Sequence, residues 1–189
     1  LFFLVYFLLP NKFKNYGLLA GSIFFYAWGA PKFVFVLLLS TIIDYHVVNR
    51  LHRAEKKNKK KWLATSICLN VGLLMFFKYA NFFVDNANVV LTSLSVGSIP
   101  LPEILLPIGI SFYTFQTLTY SIDIYRGDNK PLKSATDYML YIMMFPQLIA
   151  GPIVRFGEIA NQIRTRIHSS KNVVEGFIRF CIGLSKKVL

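Results

Sequence analysis

The sequence predicts an all-α fold: a bundle of transmembrane helices interrupted late in the chain by a re-entrant or broken helix. Three observations carry that expectation. Hydrophobic residues make up 54% of the chain against 16% charged, and mean hydropathy is +0.49. Apolar runs long enough to cross a bilayer, which takes about 20 residues, recur along the chain. Lysine and arginine gather in the short connections between those runs, as positive-inside topology requires. This composition excludes intrinsic disorder and fits a water-soluble domain poorly.

Taken in order, LFFLVYFLL at 1–9 reads as the tail of a span. The chain is accordingly expected to be an internal piece of a longer protein, with 1–189 forming part of one membrane-embedded domain truncated at both ends. Further spans are predicted over 15–30, 31–48, 62–84 and 104–125. Pro10, the Gly29-Ala30-Pro31 turn and a basic block separate the first four. Tyr26, Trp28 and Trp62 fall at span boundaries, where aromatic side chains favour the headgroup layer.

The net charge of +12 has to be read by position. Arg50 to Lys61, RLHRAEKKNKKK, carries seven Lys/Arg against the single Glu55. As a loop between spans, 49–61 is expected in the cytoplasm. Lys12 and Lys14 then fall on the same side, and so do Arg126, Lys130 and Lys133 in the loop 126–137. The stretch 85–103 becomes an outer loop or interfacial helix. A full span over 138–154 would push Arg155, Arg164 and Arg166 outside, and that stretch contains Pro146, Gly151 and Pro152. A re-entrant or broken helix is therefore expected there, because irregular backbone at membrane depth needs protein or a watery cavity around it. A last helix follows Lys171, with Arg179 inside it.

Two segments hold polar groups where hydrocarbon would penalise them. In LPIGISFYTFQTLTYSIDIYRG, residues 106–127, the offsets of Tyr113, Gln116, Tyr120 and Asp123 place them on one helical face. Ile108, Phe112, Phe115, Leu118 and Ile122 line the other side. The polar face is either the wall of a substrate channel or a set of interhelical hydrogen bonds. In FPQLIAGPIVRF, residues 145–156, Pro146 interrupts the backbone ladder, Gly151 allows close approach, and Gln147 and Arg155 supply donors. Gly151 and Pro152 mark the same break. This is either a pocket for a polar or anionic ligand or a kink followed by a topological arginine.

His52 and His168 fall in polar connections. His46 is two residues from Asp44, a spacing that does not bring side chains together on a helix, and Asp44 is expected to pair with a basic neighbour at the interface. Cys68 and Cys181 lie in apolar stretches with no partner spacing, which suggests buried inert thiols and no metal site. No hydrolase, zinc or nucleotide-binding signature occurs. With the basic residues assigned to membrane loops, no nucleic-acid partner is expected.

The segments 106–127 and 145–156 resemble the hallmark stretches of the membrane-bound O-acyltransferase family. The likeness is to its branch concerned with alginate O-acetylation and D-alanyl transfer to teichoic acid. FFYAWGAPKF, FFKYANFF and GLSKKVL resemble that branch in the same order. The resemblance implies a multi-pass protein of the bacterial inner membrane that passes an acyl group, usually acetyl, from a cytoplasmic donor such as acetyl-coenzyme A to a hydroxyl on an extracytoplasmic polysaccharide. It also implies a separate extracytoplasmic acyltransferase partner and no bound cofactor. The catalytic histidine is expected downstream of Leu189, so this N-terminal part is expected to be inactive alone. The basic block at Lys56 to Lys61 either attracts the anionic donor or serves topology and anionic-lipid binding. A transporter or flippase subunit and a non-catalytic scaffold are the competing classes.

Overall fold

Pro10, a two-residue extended break at Ala54-Glu55 and left-handed glycines divide the chain into helices. The computed structural model describes residues 2–100, 104–148, 151, 154–164 and 169–188, and no strand occurs among them. The helices are α1 (Phe2–Leu8), α2 (Lys14–Gly29), α3 (Val34–Arg53), α4 (Lys56–Ser93), α5 (Ile110–Arg126), α6 (Ala135–Met143), α7 (Phe145–Leu148), α8 (Phe156–Arg164) and α9 (Ser170–Val188). A short 3₁₀ turn, Asn11–Phe13, follows Pro10. The all-α expectation holds.

The basic block is not a loop. Arg50–Arg53 form the last turn of α3 and Lys56–Lys61 the first turns of α4, so only Ala54 and Glu55, both extended with ψ of 146° and 152°, turn the chain. The reason is local. Lysine and arginine are good helix formers, and the block contains no glycine or proline. The expected loop 49–61 is thus a helical hairpin corner. At its other end α4 runs past the expected boundary to Ser93, so the first half of 85–103, expected as an outer loop or interfacial helix, continues this helix. Ser95 (φ 57°) and Gly97 (φ 113°) then break the helix.

Two asparagines on α4 hold the returning chain. Asn88 accepts from the Ile99 N–H at 2.7 Å and donates to its carbonyl at 3.1 Å. Asn81 does the same with Ile104, at 3.0 and 2.9 Å. Each amide copies a backbone pair, which satisfies polar groups that the irregular segment cannot pair by itself. α5 starts after Gly109 (φ 78°) and ends at Gly127 (φ 86°), where the Gly127 and Asp128 N–H groups return to Ile124 and Asp123. That arrangement is a Schellman motif, whose left-handed residue favours glycine.

α3 packs along α4 and α5, while α2 and α6 close the opposite side. Tyr26, Leu37, Tyr113, Tyr120, Tyr138 and Phe156 are among the core residues. The Tyr120 ring lies 4.9 Å from that of Tyr138 and 4.7 Å from that of Phe156. Tyr26 therefore belongs to the core and not to the predicted headgroup layer, and its hydroxyl donates to the Ile108 carbonyl at 3.0 Å. Trp28 is exposed, and Arg50 sits over the half-buried Trp62 ring. Both cysteines are exposed, contrary to expectation, on faces of α4 and α9 that none of the other described helices covers.

By length and composition α3 and α4 can each cross a membrane. α2 and α5, with 16 and 17 residues, reach about 24 and 26 Å at 1.5 Å per residue, less than the roughly 30 Å hydrocarbon core. Phe76, Phe82 and Phe83 on α4 and Leu39 and Ile43 on α3 point outward, as lipid-facing residues do. The described residues of α9 are exposed along its whole length, Arg179 included.

Candidate functional site: a sequestered polar knot

The buried face of α3 follows a spacing of three and four residues: Val34, Leu37, Thr41, Asp44, Val48, Leu51. A carboxylate thus occupies the middle of a stripe that is apolar apart from Thr41, and it is 2% exposed. Its partners come from other helices. Ser66 Oγ and Asn70 Nδ2, one turn apart on α4, donate to Asp44 Oδ1 at 2.7 and 2.9 Å. The Tyr138 hydroxyl on α6 donates to Oδ2 at 2.6 Å. Ser66 Oγ lies 2.9 Å from Ser121 Oγ on α5, and because the Ser66 proton is directed at Asp44, Ser121 is the donor of that pair. Four helices are tied to one carboxyl group. The expected ion pair between Asp44 and an interfacial base is not formed: the side chain faces the bundle, where hydroxyls and an amide replace a cation. His46 on the same helix is exposed.

The α5 ridge points inward as predicted. Tyr113, Gln116 and Tyr120 are buried, while Asp123 near the helix end is only half-buried. Tyr120 is fixed by the Leu132 N–H, which donates to its hydroxyl at 2.9 Å. Gln116 Nε2 donates to the Tyr141 carbonyl at 2.8 Å, and Gln147 Nε2 donates to the same oxygen at 2.5 Å. The two polar segments therefore meet at one backbone atom.

The sequence explains why that atom is free. α6 ends at Met143, Met144 is extended (ψ 116°), and the Phe145 N–H that would have closed the turn on Tyr141 bonds to Ser22 Oγ at 3.2 Å. Pro146 has no N–H with which to continue the ladder. The break thus falls at Met144, and Pro146 itself is an exposed residue of α7. Gly151 is close-packed: a Cβ there would meet the Gln147 Cα at 2.3 Å. Gln147 is buried, and Arg155 is exposed. Pro152 and His168 lie outside the described residues.

Gln116 is thus engaged with α6 and Tyr120 with the α5–α6 connection. Tyr113 differs. Its hydroxyl, like Thr114 Oγ1, is buried with no hydrogen-bond partner among the described residues. A buried hydroxyl without a partner costs about 1–3 kcal/mol, so this is where the ridge has capacity to meet a bound group. Sequence reasoning missed Asp44, Ser66, Asn70, Ser121 and Tyr138 as one unit. A charged residue at a buried position of the α3 repeat, and Ser66 and Asn70 four apart on an apolar helix, were the available signals.

Long apolar helices wrapped around a sequestered carboxyl group define an all-α membrane protein. The chain is 38% identical over 190 residues to a protein of Azotobacter vinelandii named "Probable alginate O-acetylase AlgI", a match that covers 100% of this chain and 38% of that relative. A protein of the same name from Pseudomonas aeruginosa is 38% identical over 186 residues, 97% of this chain and 36% of the relative. The peptidoglycan O-acetyltransferase of Helicobacter pylori is 33% identical over 220 residues, 99% of this chain and 41% of the relative. Over nearly its whole length the chain is thus similar to proteins named as O-acetylases or O-acetyltransferases. It spans well under half the length of these relatives. No family model and no solved structure matches it.

Proposed function

We propose that the protein to which this chain belongs is a membrane-bound O-acyltransferase that transfers an acyl group, acetyl in the first instance, to hydroxyls of an extracytoplasmic polysaccharide. The observation that carries the reading is the similarity, over nearly the whole chain, to proteins named for O-acetylation of alginate and of peptidoglycan. The chain acts as the N-terminal, channel-building part of a single membrane-embedded domain, and the catalytic histidine lies beyond Leu189. Acetyl-coenzyme A is the donor, and a separate extracytoplasmic acyltransferase is the partner. The protein crosses the bacterial inner membrane several times, with 49–61 and 126–137 on the cytoplasmic side.

In this reading the α5 ridge and the α6–α7 break position and desolvate the acyl group, with the Tyr113 hydroxyl closest to being free for it. Gln116, Tyr120 and Gln147 keep the wall rigid, and Asp123, Gly151 and Arg155 border it.

The test is complementation. The full-length protein is expressed in a strain lacking its own polysaccharide O-acetylase, and ester-linked acetate on the polymer is measured. Restored acetylation supports the reading; movement of substrate without any ester product would replace it with transport. Cysteine labelling at positions 57 and 130 from each side of the membrane checks the topology.

A further inference from the structure

We propose that a basic hollow between the end of α3 and the α5–α6 connection is a binding site for a phosphate-bearing anion. The hollow holds about 310 Å³. Asn49, His52 and Arg53 form one wall, and Lys130, Leu132 and Lys133, some 80 residues further along the chain, form the other. These walls are tied together: the Tyr45 hydroxyl donates to the Lys133 carbonyl at 2.7 Å, and the buried Leu132 gives its N–H to Tyr120. The site is therefore built by the fold and is not a chance meeting of surface side chains.

Its charges are unspent. Among the described residues Arg53, Lys130 and Lys133 form no ion pair, and Glu55, two residues beyond Arg53, is held by Lys57 at 3.1 Å. Arg50 is directed away, over the Trp62 ring. Three cations around one concavity raise the local concentration of anions and suit a multiply charged one best. A guanidinium fork beside two ammonium groups matches the several oxygens of a phosphate ester better than the two of a carboxylate. The exposed Asp128 lies two residues before Lys130 and offsets part of the charge, which leaves the hollow net basic. A volume at the small end for ligand pockets suits a phosphate or diphosphate group, with the rest of the ligand outside.

The site differs from the run of lysines at 56–61, which projects from the start of α4. It does not depend on the acyl-transfer reading. The phosphate has two possible sources, a soluble phosphate ester or the headgroup of an anionic lipid, and Leu132 joins either to the ridge through Tyr120.

The experiment titrates inorganic pyrophosphate, at low ionic strength, into the full-length protein in phosphatidylcholine nanodiscs. Two triple variants with equal charge loss are compared: Arg53→Gln/Lys130→Gln/Lys133→Gln in the hollow, and Lys56→Gln/Lys59→Gln/Lys60→Gln outside it. The hollow variant is expected to bind at least about tenfold more weakly, and the control variant to change by less than about twofold. Repeating the titration with phosphatidylglycerol in the discs separates the sources. Unchanged pyrophosphate affinity assigns a soluble ester, and competition assigns the lipid headgroup. Absence of saturable binding by the wild type, or equal weakening by both triples, overturns the site. If the triple fails to insert, the exposed Lys133→Gln alone should weaken binding about threefold, and an unchanged affinity then overturns it.

Discussion

The Tyr138 hydroxyl and the Asp44 carboxylate, 94 positions apart in sequence, are joined by a 2.6 Å hydrogen bond that closes α6 onto α3. Removing either side leaves the other exposed to an apolar surrounding. Asp44→Ala takes the acceptor from Ser66, Asn70 and Tyr138 together, and a loss of about 1–3 kcal/mol is expected for each donor left unpaired. Tyr138→Phe should cost about 1 kcal/mol. A double-mutant cycle in detergent, read by thermal unfolding, should give a coupling energy of about 0.6–2 kcal/mol. A coupling near zero would mean that the bond does not contribute.

Gln116 and Gln147 converge on the Tyr141 carbonyl, so each can cover for the other. Gln116→Leu or Gln147→Leu alone should lower stability by less than about 1 kcal/mol, and the pair together by about 2 kcal/mol or more, because only the double change leaves that oxygen bare. Additive losses in unfolding measurements would contradict the shared acceptor. In the full-length protein Gln116→Leu should insert normally, and the effect on acyl transfer then separates a channel wall from a brace.

Tyr113→Phe removes a hydroxyl that has no partner among the described residues and should leave stability unchanged or raise it by about 1 kcal/mol. Tyr120→Phe, which orphans the Leu132 N–H, should lower it by about 1 kcal/mol. If acyl transfer falls in Tyr113→Phe while the melting temperature holds, the hydroxyl meets the substrate. If both are unchanged, it is only a tolerated core tyrosine.

Gly151→Ala drives a Cβ into the Gln147 backbone and should destabilise by about 1–3 kcal/mol. Gly72→Ala, inside α4 with open space around it, should stabilise by about 0.5–1 kcal/mol. Measured in one melting series, the two changes should therefore have opposite signs.

The all-α class, the inward direction of Tyr113, Gln116 and Tyr120, and the break before Gln147 were legible from periodicity and from the cost of polar groups in oil. The meeting of Asp44 with Ser66, Asn70, Ser121 and Tyr138 was not, since its partners lie 22 to 94 residues away and only packing selects them. The corner at Ala54-Glu55 was misjudged for another reason. Charge density suggested a solvated loop, although the lysines involved favour helix, and the rule that positions charge in a membrane does not specify backbone conformation. Tyr26 was misplaced in the same way, because an aromatic ring at a span boundary fits a headgroup or a core equally well until Ile108 presents its carbonyl.

At 38 residues, α4 is a rod of about 57 Å, and oil accounts for only about 30 Å of it. Upright across a bilayer it would stand clear like a mast, its surplus shared between the lysine-rich foot and the end that carries the Asn88–Ile99 clasp. Whatever else gathers at that end of the molecule meets a stiff post in the aqueous layer rather than a slack tether.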